Sequence, residues 1–319
     1  MKYLICAAAL VVGPAIIALP PMLSAAENTP WAYPVAPKGA PKRDPAKIVT
    51  QPGSEKKYNE VEINNPYGPP DWYPGDHPPM PPVVANGRRE EPRACSLCHL
   101  VTGDGHPESA GVNGLPESYF LRTLHEFREG KRNGGRSGVM IAITKGMTDA
   151  EMKEAAAYFG KIRPAKGYVK VIEAAEVPKT YVGAGAMRFV SKGADAGMEP
   201  IGQRIIMLPE DQTKARLRDP RSGFVAYVPP GSLAKGRALV NGAGGKGVAC
   251  SICHGDGLKG LANVPRIAGL HPIYIARQLH LFKEGDRTGP DSALMKKPLA
   301  NLTNDDILSV AAYVASLTP

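Results

Sequence analysis

Cys95-Ser96-Leu97-Cys98-His99 and Cys250-Ser251-Ile252-Cys253-His254 decide the reading of this chain. Of the five cysteines in 319 residues, four lie in these two runs. Each run pairs its cysteines as C-x-x-C and follows them at once with histidine. Disulfides explain paired cysteines in an exporting compartment, but give no reason for a histidine after both pairs. A zinc site built on two C-x-x-C pairs leaves the same histidines unexplained. A thioredoxin-type redox pair needs a βαβ setting, and the flanking sequence offers none.

The pattern C-x-x-C-H is the attachment signal for c-type haem. The two thiols form thioethers to the porphyrin edge, and the adjacent histidine is then held under the iron. Cys95, Cys98, Cys250 and Cys253 are therefore expected to carry two covalently bound haem c groups, with His99 and His254 as axial iron ligands. The start of the chain agrees, because c-type haem is attached outside the cytoplasm. Lys2 precedes an almost wholly apolar run from Leu4 to Leu19, and Ser24, Ala25 and Ala26 offer a cleavage site before Glu27. Residues 1–26 read as a signal peptide, giving a periplasmic mature chain. No later stretch is long and apolar enough to cross a bilayer.

Composition narrows the remaining classes. Hydrophobic content of 43% against 22% charged residues fits a folded protein. The 32 prolines and 35 glycines argue against long uninterrupted helices. The formal charge of +9 favours an acidic partner. No basic cluster is interleaved with aromatics, so nucleic acid is not an expected partner.

Sliding residues 95–158 onto 250–313 without a gap gives 22 identities in 64 positions. Y-x-x-R-x-L-H-x-F-x-E-G-x-R stands at 119–132 and again at 274–287. The chain thus holds one module twice. Tyr119 to Glu129 is expected to be a helix capped by Gly130, and Tyr274 to Glu284 its copy capped by Gly285. Thr148 with Glu151 and Thr303 with Asp306 have capping-box spacing and open a closing helix in each module. Ser232 to Val240 suggests a helix ahead of the second motif; only Pro-rich sequence and the charged run Arg88 to Glu91 precede the first. Between the paired helices a polar, Gly-bearing loop carries one methionine in each copy.

That methionine answers the question of the sixth iron ligand, because a thioether there raises the potential and closes the site for electron transfer. Met295 is the only methionine after the second motif, and Met140 aligns with it, each 41 residues beyond its histidine. Met147 and Met152 read as core packing. His125 and His280, at equivalent helix positions, read as solvated or propionate-contacting. His77, His106 and His271 do not outrank the paired methionines.

Taken together, these residues resemble tandem class I cytochromes c, and most of all the dihaem cytochrome c4 group. The likeness spans about residues 86–162 and 231–319. It implies a mainly α fold with two class I cytochrome c haem domains in tandem; outside it, composition and alternation add a Pro-rich N-terminal arm and a small β-rich insertion between the domains. The corresponding boundaries are 27–85 for the arm, 86–162 for domain 1, 163–230 for the insertion and 231–319 for domain 2. The resemblance also gives Pro265 the role of accepting a hydrogen bond from the ligand His254. The first module departs from the pattern: Leu100 replaces the usual glycine, and Ala110 aligns with Pro265, which leaves Pro107 as a shifted candidate. The two haem potentials are accordingly expected to differ.

Residues 27–85 hold 14 prolines and both tryptophans, and read as an extended arm on the surface. Residues 163–230 alternate in β fashion at Gly167 to Val182, Gly202 to Leu208 and Phe224 to Val228. The insertion carries eleven Lys and Arg against seven Asp and Glu, and domain 2 ten against six. A steered encounter with an acidic partner would then favour the second half. The function implied is single-electron transfer between a donor dehydrogenase or membrane complex and an acceptor such as an oxidase, without substrate chemistry. The alternatives are a bound subunit of a dehydrogenase and a dihaem peroxidase. The peroxidase needs an iron that opens, which the paired methionines argue against.

Overall fold

The computed structural model describes residues 29–36 and 43–319; the expected signal peptide lies outside the described residues. The first half contains α1 (Pro82–Ala85), α2 (Ser96–His99), α3 (Glu117–Arg128), α4 (Gly138–Gly146) and α5 (Asp149–Lys161). The short helix α6 (Gln212–Arg216) follows in the middle segment, and the second half contains α7 (Ser232–Val240), α8 (Ser251–His254), α9 (Pro272–Glu284), α10 (Ser292–Leu299) and α11 (Asn304–Ser316).

Both capping boxes form. Thr148 Oγ1 accepts from the Glu151 amide at 3.2 Å and the Glu151 carboxylate from the Thr148 amide at 2.7 Å, starting α5. Thr303 and Asp306 repeat the exchange at 3.2 and 2.9 Å to start α11. Gly285 closes α9 in left-handed backbone. The segments carrying Met140 and Met295 are not loops, as the sequence suggested, but the helices α4 and α10. Gly134 and Gly135 in one copy and Pro298 in the other hide them, since packing rather than propensity stabilises such short helices.

In the second half α7 crosses α11 closely enough that a Cβ on Gly236 would stand 2.0 Å from the Ser309 carbonyl oxygen, so only glycine fits. The first half has no such helix; α1 and the preceding proline-rich chain take its side.

The halves meet about a local two-fold relation at equivalent residues. Arg132 and Arg287 form an antiparallel bridge, flanked by Asn133 N to Asp286 O and Thr288 N to Lys131 O, both 2.8 Å. Buried polar bonds extend the contact. His271 Nε2 lies 3.1 Å from the Asp104 carbonyl oxygen. Arg266 Nη2 donates to Asn113 Oδ1 at 3.2 Å.

Residues 163–230 form short strands, as their alternation implied. In the main sheet, β1 (Val169–Glu173) runs parallel to β3 (Phe224–Val228), which pairs antiparallel with β2 (Ile206–Pro209). Phe224, Ala226 and Val228 point into the core shared with α9 and α11, while Tyr227 faces the other side, as a period of two requires.

The N-terminal segment is not an extended surface arm. Trp72 is 1% exposed and Trp31 is 8% exposed. Trp31 and Ala32 join the core of the second half. Trp72 packs with Ile63 and Tyr73 and donates from Nε1 to the Leu217 carbonyl oxygen at 2.7 Å. Aromatic side chains that bury this much apolar area outweigh the stiffness of the prolines.

Candidate functional site

Each C-x-x-C-H run folds as a single helical turn. The His99 amide bonds to the Cys95 carbonyl at 3.0 Å and the His254 amide to the Cys250 carbonyl at 2.9 Å. One turn gathers both thiols and the imidazole at one end of the same short helix. The rings are then fixed alike. His99 Nδ1 lies 2.8 Å from the Ala110 carbonyl oxygen, and His254 Nδ1 lies 2.9 Å from that of Pro265. A carbonyl only accepts, so Nδ1 carries the proton and Nε2 keeps a free lone pair. Burial lowers the proton affinity of both rings below the ordinary imidazole value. Each histidine is thereby a neutral, oriented metal donor.

The second motif opens on a cavity of ≈ 250 Å³. Cys250, Cys253, His254 and Met295 all line it, with Leu270 and Phe282 among its apolar walls. The donor set is two thiols, one imidazole and one thioether in an apolar pocket.

These donors meet a matching relationship in sequence. The family model described as Cytochrome c matches residues 233–318. Cytochrome c-554(547) of Halothiobacillus neapolitanus is 33% identical over 95 residues, covering 27% of this chain and 98% of that protein. The chain belongs to the cytochrome c family.

Longer matches refine the likeness. Cytochrome c4 of Stutzerimonas stutzeri is 24% identical over 233 residues, 70% of this chain and 84% of its own. The thiosulfate dehydrogenase electron acceptor of Thiomonas intermedia (strain K12) is 26% identical over 233 residues, 71% of this chain and 79% of its own. This is a cytochrome c4-like class I cytochrome, an electron-transfer protein that binds haem c covalently.

The residues around the cavity of this cytochrome fit that group. Arg132 and Arg287 are buried, and neither has an ion pair among the described residues. Both donate to Gln278 Oε1, at 2.8 and 3.0 Å, and each guanidinium stacks on an aromatic ring, Phe127 and Phe282 respectively. Arg287 also lines the cavity and its Nε has no hydrogen-bond partner. Glu126 lines the same cavity and its charge reaches Arg132, but neither guanidinium is directly paired with a carboxylate; buried cations are costly unpaired, and the acidic side arms of a haem would complement them. The thiols fit as well. Burial pushes the Cys95 thiol up to about 12 and raises those of Cys98 and Cys250, as apolar walls around them require.

In the first half, Met140 is half-buried against the core cluster that Cys95 and Ala110 also border. Met147 and Met152 are buried within that cluster, in keeping with packing roles. Met80, from the Pro-rich segment, borders the same cluster. It precedes the motif and has no partner in the repeat, so no local signal singles it out. Pro107 does not take the role suggested for it: the carbonyl bonded to His99 belongs to Ala110, the residue that aligns with Pro265. The bond needs a carbonyl, not a proline.

Other histidines find structural partners. His77 Nε2 lies 3.1 Å from Asp71 Oδ1, and His77 Nδ1 lies 3.1 Å from the Tyr158 hydroxyl, tying the N-terminal segment to α5. His280 is buried, so of the two readings offered for it the solvated one does not hold; burial lowers it to about 4.

The two motifs differ in cover. Ile252 is 67% exposed and Cys253 is exposed. Leu97, the counterpart of Ile252, is 9% exposed. Ser96 Oγ donates to the Val84 carbonyl oxygen at 2.7 Å, and Arg218 reaches the Leu97 carbonyl oxygen.

Proposed function

We propose that this chain is a dihaem cytochrome of the periplasm that passes single electrons between a donor dehydrogenase or membrane complex and an acceptor such as a terminal oxidase. The observation that carries the reading is the pair of matched hydrogen bonds, His99 to Ala110 and His254 to Pro265, behind two C-x-x-C-H turns. A fold with one working haem has no reason to orient both rings the same way.

In this reading residues 86–162 and 231–319 are the haem domains, 163–230 the insertion, and 1–26 a cleaved export signal. Cys95 and Cys98 hold one haem, Cys250 and Cys253 the other. His99 and His254 are proximal ligands, Met140 and Met295 distal ones. Bound haem supplies a one-electron iron couple at each site. The chain's own part is to orient each imidazole through Nδ1, to close the far side with a thioether, and to bury the ring among apolar walls.

Exchange with partners runs through the second motif. Val248, Ile252 and Leu294 are exposed apolar side chains about its cavity, with exposed Lys259, Lys296 and Lys297 in the same half. An apolar centre among lysines suits a partner with an acidic rim. A relative named as the electron acceptor of thiosulfate dehydrogenase is consistent with a dehydrogenase as the donor.

The test is the haem count and electron uptake of the purified holoprotein. Two covalent haems per chain and two electrons per chain on reductive titration are expected. One haem, or haem that solvent extraction removes, overturns the reading.

A further inference from the structure

Arg218 stands two residues beyond α6 in left-handed backbone, φ +57°. A non-glycine residue there is held against a local cost, and its side chain explains what holds it. Nη1 donates to the Leu97 carbonyl oxygen inside the first C-x-x-C-H run. Nε donates to the Ile63 carbonyl oxygen at 2.9 Å, and Nη2 to Asn64 Oδ1 at 2.7 Å. Every acceptor is neutral, and Arg218 forms no ion pair among the described residues. The neighbouring Asp219 is engaged elsewhere, by the Tyr73 hydroxyl at 3.2 Å and the Arg221 amide at 2.8 Å.

The charge is therefore fixed, partly buried and without an ion pair among the described residues, and it is bonded to the carbonyl of Leu97, the residue before Cys98. Arg93, the other arginine beside the run, is 47% exposed and ion pairs with Glu91 at 3.1 Å, so solvent and partner screen it. At the second motif Ile252 faces solvent, and the arginines of that site, Arg266 and Arg287, stand on the cavity wall rather than on a carbonyl of the C-x-x-C-H run.

We infer that Arg218 sets the reduction potential of the haem centre held by Cys95 and Cys98, raising it above the value the same ligands would give alone. This rests on the dihaem reading above. Reduction adds one electron and lowers the charge of a centre by one. A partly buried cation nearby favours the reduced form, and the charge and burial around a haem are recognised levers on its potential. Arg218 touches neither iron nor substrate; it acts as a positioned charge, and the insertion is what delivers it.

The test is a spectroelectrochemical titration of the full-length holoprotein, with the haem count taken on the same samples. The parent should show two one-electron steps. In Arg218→Gln one step should move to lower potential, its equilibrium constant for reduction falling about tenfold, or 59 mV for one electron. The other step should stay. Arg218→Lys should restore most of the shift. Asn64→Ala, which loosens the anchor but keeps the charge, should move neither step comparably. The moving step should be the one kept in a Cys250→Ala, Cys253→Ala double variant. Unchanged steps in Arg218→Gln, equal movement of both, or an Asn64→Ala shift as large, overturn the inference while two haems remain. If Arg218→Gln does not fold, Arg218→Met, which keeps the length of the side chain without its charge, takes its place with the same expected drop, and an unchanged step in that variant overturns the inference. A parent chain with fewer than two haems instead overturns the reading beneath it.

Discussion

His254 Nδ1 and the Pro265 carbonyl oxygen lie 2.9 Å apart, and His99 makes the same bond at 2.8 Å to Ala110. The second bond shows that an ordinary residue can supply the acceptor. Pro265→Ala should therefore keep haem and an unaltered visible spectrum. Its cost should be confined to the looser unfolded chain, about 0.4–1 kcal/mol in thermal or denaturant unfolding. Loss of haem or a changed axial signature would show that the ring of Pro265 does more than carry a carbonyl.

The thioether assignments separate by spectroscopy. Met295 lines the second cavity, so Met295→Ala should remove one of two sulfur–iron charge-transfer contributions in the near infrared. Met140→Ala should remove the other. Met80→Ala should leave both, even though Met80 borders the same cluster as Met140. If the Met80 variant loses a band and the Met140 variant does not, the first centre takes its distal ligand from the Pro-rich segment.

Leu100 is held at φ +62° where its counterpart Gly255 sits at +74°. It is also 6% exposed and packed in the core of the second half. Leu100→Gly would relieve strain of about 1 kcal/mol but lose a buried side chain worth about 2–5 kcal/mol. The net expectation is a loss of about 1–4 kcal/mol in holoprotein unfolding. A more stable variant would mean that strain outweighs packing at this turn.

His280 sets a pH dependence. It is 3% exposed, its Nε2 has no hydrogen-bond partner, and burial with help from Lys283 lowers it to about 4. The unfolded ring titrates near 6.5, so between those values the unfolded chain binds the extra proton. Stability should be complete above about pH 6.5 and fall as pH drops toward 4, by up to roughly 3 kcal/mol. His280→Leu should flatten that part of the stability curve. Parallel curves for parent and variant would show that the ring titrates normally in the folded state.

The helical frame was legible because its signals are local. Thr148 with Glu151 and Thr303 with Asp306 announced their helices, and both boxes form. Phe224 to Val228 alternated and is a strand. What stayed hidden depends on distant contacts. Proline content made the N-terminal segment read as exposed chain, because nothing local to Trp72 names its partner Leu217, 145 residues away. Met140 and Met295 sit on helices that glycine and proline disguise. On the site side, the motifs gave the thiols and histidines, and the repeat gave the aligned methionines. Arg132 and Arg287 were visible as a repeated G-x-R, but only the antiparallel bridge between them gives that identity a physical meaning. Arg218 lacked any signal, since it lies outside the repeated modules.

Leu97 and the arginine that reaches it are 121 residues apart. The first attachment site therefore gains its cover only once the middle segment has folded onto it, so on the proposed reading a maturation enzyme would have to reach Cys95 and Cys98 before that step. At Cys253 no comparable deadline applies.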